Sequence, residues 1–187
     1  MGIRIVAISG SLRRRSYNTA LLRAAAEQAP AGVDVELWPI GDVPMYNGDV
    51  EAAGGFPEPV ARLRAAVAGA DGLLLASPEY NRSVTGALKN AVDWLSRGPD
   101  SPLDRKPAAI LGGGGRSGTR LSQTHLRAVL RHNEVAVVAD PEVHVARVRH
   151  AFDANLTLTD ESVAAKIRQL LAALVDLIAE RSTSGAD

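Results

Sequence analysis

Residues 3–18 read IRIVAISGSLRRRSYN. From Ile3 to Ile8 the chain is apolar almost throughout, as a strand must be when helices cover both of its faces. A strand with one wet face would alternate instead. The run ends in Gly10, and a helix-forming stretch opens at Asn18. Between them stand the hydroxyls of Ser11 and Ser16 and the charge of Arg13, with the amide of Asn18 at the helix start. Free backbone N–H groups and the helix dipole add to these, and the set suits a phosphate. A solvated basic turn, with Ser16 or Asn18 as an ordinary cap, accounts for the same residues. The loop is not a Walker A loop, because no G-x-x-x-x-G-K-[ST] is present.

Outward from this stretch, short apolar runs alternate with amphipathic ones. Val33 to Trp38 alternates as a second strand, Gly72 to Ala76 (GLLLA) is a fully apolar third, Pro107 to Leu111 a fourth and Val135 to Ala139 a fifth. Helices are expected over Asn18 to Gln28, Pro59 to Val67, Val84 to Ser96 and Gly118 to Arg131. Pro39, Gly41, Pro44, Asn47, Gly54, Gly55 and Pro57 punctuate the stretch after the second strand too densely for a long element. The last helix is the clearest. Thr159 stands as its cap, Asp160 and Glu161 suit its positive end, and Val163, Ile167, Leu170, Leu171, Leu174, Leu177 and Ile178 form one apolar stripe. Strands alternating with helices read as an α/β fold, a doubly wound five-stranded parallel sheet with helices on both faces. Residues 1–181 form the single expected domain, and 182–187 a disordered tail.

Composition narrows the chemistry. The chain of 187 residues carries 21 Lys and Arg against 21 Asp and Glu, so no global charge draws it to nucleic acid or to an anionic membrane. It has no cysteine, which removes disulfides, thiolate nucleophiles and cysteine-based metal centres. Four histidines remain, none in an H-E-x-x-H pattern, and no metal site is expected. The opening apolar run is too short for a signal peptide, and no stretch approaches a membrane helix. A cytoplasmic protein with no membrane or nucleic-acid partner is the expectation.

In doubly wound sheets ligands bind outside the carboxyl ends of the strands, so two further loops matter. After the third strand come Ser77, Pro78, Glu79, Tyr80 and Asn81. Pro78 stiffens the turn, Tyr80 offers a flat face, and Glu79 and Asn81 offer hydrogen bonds. A capped turn with Ser83 or Thr85 at the helix start is the plainer account. After the fourth strand comes LGGGGRSGTR, residues 111–120. Gly113, Gly115 and Gly118 fit the dinucleotide fingerprint G-x-G-x-x-G, and Asp140 lies at a ribose-binding separation. Alternatively, the glycines let backbone approach a flat ligand closely, or form a flexible turn.

The three loops together resemble the NAD(P)H-dependent FMN reductase family, of flavodoxin-like fold, and most closely its chromate- and quinone-reductase branch. G-S-L-R-x-x-S-x-N at Gly10 to Asn18 is similar to that family's phosphate loop. P-E-Y-N at Pro78 to Asn81, followed by G-x-L-K-N-A-x-D-W-L-S-R at Gly86 to Arg97, is similar to its most specific signature. The resemblance implies that Ser11, Arg13, Ser16 and Asn18 bind the FMN phosphate. It implies that Pro78, Glu79, Tyr80 and Asn81 line the isoalloxazine, and that the 112–118 loop, with Gly113, Gly114, Gly115 and Ser117, faces its pyrimidine side. Relatives often carry Ser or Thr where this chain has Gly112 to Gly115, so backbone replaces a side-chain contact here. NADPH or NADH is the implied co-substrate, and quinones, flavins, chromate and nitro or azo compounds are the implied small-molecule acceptors. No protein side chain need be catalytic, because the flavin carries the hydride. A homodimer or homotetramer is implied, with the flavin site at the interface.

Two rival readings remain at this stage. A Rossmann dehydrogenase would use Gly113 to Gly118, but leaves the first two loops without a role. A flavodoxin-like electron carrier fits the fold, but such carriers tend to be acidic.

Overall fold

The structure is a computed structural model that describes residues 2–184. Its sheet is built from β1 (Ile3–Ser9), β2 (Val33–Trp38), β3 (Gly72–Ala76) and β4 (Pro107–Gly113), with β5 (Ala136–Val137) and β6 (Val143–Val145) along the outer edge of β4. All pairings are parallel, and the strand order is β2-β1-β3-β4-β5. This is the flavodoxin-like form of the doubly wound sheet, whose order reverses between β1 and β3. The fifth position holds two short strands rather than one. β5 pairs with the start of β4 and β6 with its end, so that Gly112 lies opposite His144.

The strands sort their side chains by alternation. Ile5 and Ala7 of β1, Leu74 and Ala76 of β3, and Ala109 and Leu111 of β4 face one cluster with α1 (Tyr17–Glu27) and α6 (Glu161–Ser184). Val6, Ile8, Leu73, Leu75, Ala108 and Ile110 face the other, with α3 (Glu58–Ala68), α4 (Gly86–Leu95) and α5 (Arg120–Leu130). β3 and β4 are buried along their whole length because both faces are covered, whereas the edge strand β2 alternates. The expected stripe of α6 is the face it buries, with Ile167, Leu171 and Leu174 fully enclosed.

Several boundaries differ from expectation. A short helix, α2 (Gly48–Gly54), stands in the punctuated stretch after β2, capped by Asn47, whose side chain accepts from the Asp49 N–H. Asp160 rather than Thr159 caps α6. Its Oδ1 accepts from the N–H groups of Ser162 and Val163, while Thr159 donates to the Ala151 carbonyl. The Ser162 hydroxyl, which donates to the same oxygen at 2.7 Å, and then the Val163 N–H hold the Asp160 carboxyl below its usual range. The last helix continues to Ser184, three residues past the expected end of the domain at 181, and 185–187 lie outside the described residues.

β4 also runs two residues further than expected, through Gly112 and Gly113, both buried. A Cβ on Gly112 would stand 2.5 Å from the Ser77 carbonyl oxygen and closer still to Thr119 Oγ1. On Gly113 it would strike Val148, whose own Cβ lies 2.8 Å away. These glycines are there because β4 is packed tightly against its own neighbours. Gly72 also has a near contact, but with Ile178 Cδ1, the end of a flexible side chain, at 2.8 Å. Gly112→Ala is therefore expected to cost about 1–3 kcal/mol of unfolding free energy in denaturant titration, and Gly72→Ala less. Equal costs would show that the Ser77 carbonyl can move aside.

Candidate functional site

The loops after β1, β3 and β4 meet at the carboxyl end of the sheet and enclose a cleft of about 220 Å³. Ser11, Arg13, Ser16, Asn18, Pro78, Glu79, Tyr80, Gly113 and Gly114 line it, with Tyr17 and Val148. Of the residues expected at the site from sequence, only Asn81, Gly115 and Ser117 stand outside this wall. Tyr17 lies inside the motif that drew attention to the first loop. Val148 belongs to a 3₁₀ turn, Val148–Ala151, that no motif marks.

The first loop is a set of donors. Ser16 caps α1, its Oγ accepting from the Thr19 N–H at 3.2 Å, and its own hydroxyl proton remains available. Arg13 makes no hydrogen bond or ion pair among the described residues, and its guanidinium is exposed. As at any helix start, the first N–H groups of α1 have no intrahelical acceptor. The one acidic side chain in the cleft wall, Glu79, is already engaged. Its Oε2 accepts from the N–H groups of Leu121 and Ser122 at 3.0 and 3.1 Å, capping α5. The cleft therefore offers hydroxyls, a guanidinium and a helix start with no free carboxylate opposed to them. It fits a phosphate monoester.

Asn18 is placed differently from its expected role. Its Nδ2 donates to the Gly113 carbonyl at 3.0 Å, and its Oδ1 accepts from the Gly113 N–H at 2.9 Å. Both ends of the amide are thus spent inside the protein, joining the start of α1 to the end of β4. The second loop is tied in as well. Thr85 Oγ1 donates to the Gly10 carbonyl at 2.7 Å, and a Cβ on Gly10 would press on Thr85, Leu88 and Pro78. Ser122 Oγ donates to the Pro78 carbonyl at 2.8 Å and lies 2.5 Å from Ser77 Oγ.

Tyr80 and Ser83 exchange backbone hydrogen bonds across Asn81 and Arg82. Both central residues have positive φ, 50° and 65°, as in a type I′ turn. The turn turns Tyr80 outward, half exposed, at the rim of the cleft.

In the third loop two of the glycine N–H groups are already engaged within the protein. The Gly113 N–H belongs to Asn18, and that of Gly114 donates to the Val145 carbonyl at 3.0 Å. A Cβ on Gly114 would stand 2.5 Å from the Gly118 carbonyl oxygen. The glycine run thus serves the loop's own packing first. The N–H groups of Arg116 and Ser117 have no acceptor among the described residues.

The 90–97 part of the signature lies elsewhere. Asn90 accepts from the Tyr46 N–H and donates to the Pro44 carbonyl, which also receives the Trp94 indole N–H. Arg97 and the Tyr46 hydroxyl both donate to Glu51 Oε2, at 3.0 and 2.9 Å. Desolvation opposes ionisation of Glu51, but the bonds from Tyr46 and Arg97 prevail and hold its carboxyl below the usual range. Glu51 in turn raises the Tyr46 phenol. This part of the signature clasps the segment after β2 onto α4.

Known proteins resemble this chain over most of its length. The sequence profile of a family described as NADPH-dependent FMN reductase matches residues 3–150. The chain is 47% identical over 173 residues to an NAD(P)H-dependent FMN reductase of Pseudomonas aeruginosa, covering 92% of this chain and 93% of that one. It is 40% identical over 177 residues to an NADPH:quinone oxidoreductase of Arabidopsis thaliana, covering 92% and 90%. Among solved structures it is similar to the flavoenzyme NAD(P)H:(acceptor) oxidoreductase FerB of Paracoccus denitrificans, with TM-score 0.86, 34% identity, and 95% and 98% of the two chains covered. Among the described residues no helix is long and apolar enough to cross a membrane.

The Asn18–Gly113 pair makes a prediction independent of any ligand. Asn18→Ala leaves a buried N–H and a buried C=O unpaired and is expected to cost about 1–3 kcal/mol of unfolding free energy. Asn18→Asp can replace only the acceptor and should not restore stability. Denaturant titration of both variants checks this; parent-like stability of Asn18→Ala would mean that water replaces the amide without cost.

Proposed function

The chain belongs to the NADPH-dependent FMN reductase family, and on that premise we infer that it is an NAD(P)H-dependent reductase with FMN as cofactor and a quinone-like acceptor. The observation that carries this reading is the single cleft in which the three loops converge at the β1/β3 reversal of the sheet, where this fold holds its ligands. Held there by Arg13, Ser11 and Ser16, FMN would supply two-electron redox chemistry between NAD(P)H and the acceptor.

The chain's own residues bind, orient and shield. Arg13, Ser11 and Ser16 hold the phosphate, with the start of α1 behind them. Asn18 serves as a positioning residue, fixing the third loop against the first. Pro78, Tyr80 and Gly114 line the ring, and Val148 and Tyr17 keep water from the cleft wall. The N–H groups of Arg116 and Ser117 are the donors left to meet negative charge on the reduced ring, fixed in place beforehand as in an oxyanion hole. Tyr80, at the rim, shapes the space an acceptor enters. Asn81 acts through the turn that presents Tyr80.

The proposal includes a cytoplasmic location and association as a homodimer or homotetramer. Leu12, Met45, Val50 and Tyr80 are exposed at 60, 75, 45 and 50%. Leu12 and Tyr80 lie on the loops at the carboxyl end of the sheet, Met45 and Val50 on the segment clasped onto α4, and a second copy would cover such residues. Against a Rossmann dehydrogenase stands the strand order, together with the internal use of the Gly113 and Gly114 N–H groups.

Steady NADPH oxidation with a soluble quinone is expected, and it separates an enzyme from a flavodoxin-like carrier. Free flavin, chromate and nitro or azo compounds belong in the same assay as further candidate acceptors. Arg13→Ala is expected to weaken FMN binding roughly 10- to 100-fold, since a charge-assisted bond to phosphate contributes on the order of 1.5–3 kcal/mol. Its unfolding midpoint should stay at the parent value, because the guanidinium has no partner in the protein. Unchanged FMN affinity in a fluorescence titration would remove the phosphate from this loop.

A further inference from the structure

A second large cleft lies on the far side of the first loop. It measures about 460 Å³ and is floored by apolar side chains of β1, α1 and β2. Trp38 gives it an aromatic wall, and Arg13, Arg14 and Arg23 stand around it. None of the three guanidiniums has a carboxylate or carbonyl partner among the described residues, and no acidic residue lines the cleft. In a chain whose formal charge is zero, that is a local excess of positive charge beside a flat apolar surface.

The cleft does not stand alone. A third hollow of about 350 Å³ runs between Tyr80 and the start of α4, with Gly86 and Ala87 on its floor. It shares Tyr80 and Arg13 with the loop-enclosed cleft, and Leu12 and Arg13 with the large one. The three hollows adjoin one another through these shared residues. Their shared lining runs from Tyr80 past Leu12 and Arg13 towards Trp38, Arg14 and Arg23. A ligand that reaches from the loop-enclosed cleft to this far end must be extended. Its distal part should be planar, to lie on an indole, and should carry negative charge, to meet two arginines.

We propose that this far end binds the 2′-phosphorylated adenosine of NADPH, with Trp38 against the adenine and Arg14 and Arg23 on the 2′-phosphate. This rests on the reading of the chain as a nicotinamide-dependent flavin enzyme and names the residues that select NADPH over NADH. The two other arginines of the neighbourhood are placed otherwise. Arg15 donates to the Ala154 carbonyl at 2.5 Å, and Arg82 sits within the turn beyond Tyr80.

The test uses the full chain loaded with FMN, and the variants Arg14→Gln, Arg23→Gln and the double variant. Isothermal titration with 2′,5′-ADP and with 5′-AMP reads the site without turnover. The parent should bind 2′,5′-ADP more tightly than 5′-AMP. Each substitution should weaken 2′,5′-ADP roughly tenfold or more, with 5′-AMP little changed. In steady state, KM for NADPH should rise while KM for NADH, kcat and bound FMN stay at parent values. Equal binding of the two nucleotides by the parent, parallel changes in both coenzymes, or a loss seen only on replacing Arg147 or Arg149 beside Gly115 would overturn the proposal. A parent that holds no FMN and oxidises neither coenzyme defeats the functional reading instead, and the titration still decides the nucleotide site.

Discussion

The two hydrogen bonds between Asn18 and Gly113 hold the site together. They join the first turn of α1 to the last residue of β4, across 95 positions of sequence. Around them the other loops are tied in turn, the first to the second through Gly10 and Thr85, and the second to α5 through Glu79 and Ser122. Each tie uses a buried or half-buried polar group that would be costly to leave unpaired. The cleft is therefore shaped before any ligand enters, and a ligand need not supply the ordering energy. The glycines follow from the same tightness: Gly10, Gly112, Gly113 and Gly114 lie where a side chain would strike the protein itself.

Charge is organised locally in a chain that is neutral overall. Ion pairs such as Arg62–Asp42, Arg62–Glu58 and Lys89–Asp93 are exposed on the helices and segments away from the cleft and contribute little. At the carboxyl end of the sheet the pattern changes. Glu79 is engaged in capping α5, while Arg13, Arg14 and Arg23 have no hydrogen-bond or ion-pair partner among the described residues.

Much of this was legible in the sequence, for reasons that also explain the rest. β2 and β3 fall where the apolar pattern puts them, because patterning is set by burial and both are short and clearly bounded. β4 runs past its expected end because Gly112 and Gly113 carry no side chain to display a pattern. β5 and β6 are too short to show one. The loops were legible as site-bearing from residue type, but type does not reveal partners. Asn18 and Glu79 are chemically suited to a ligand and are spent on the backbone. Likewise, Asn90, Trp94 and Arg97 form a specific signature, yet they hold the segment after β2 rather than line the cleft. Val148 enters the wall through tertiary packing alone.

The central claim is that the three tied loops form one FMN site. The absorption spectrum of the purified chain tests it most directly, with the cofactor released by denaturation and quantified. The account predicts yellow protein with flavin bands and about one FMN released per chain. Colourless protein that takes up no FMN on titration, yet binds a nicotinamide dinucleotide tightly without flavin, would contradict it.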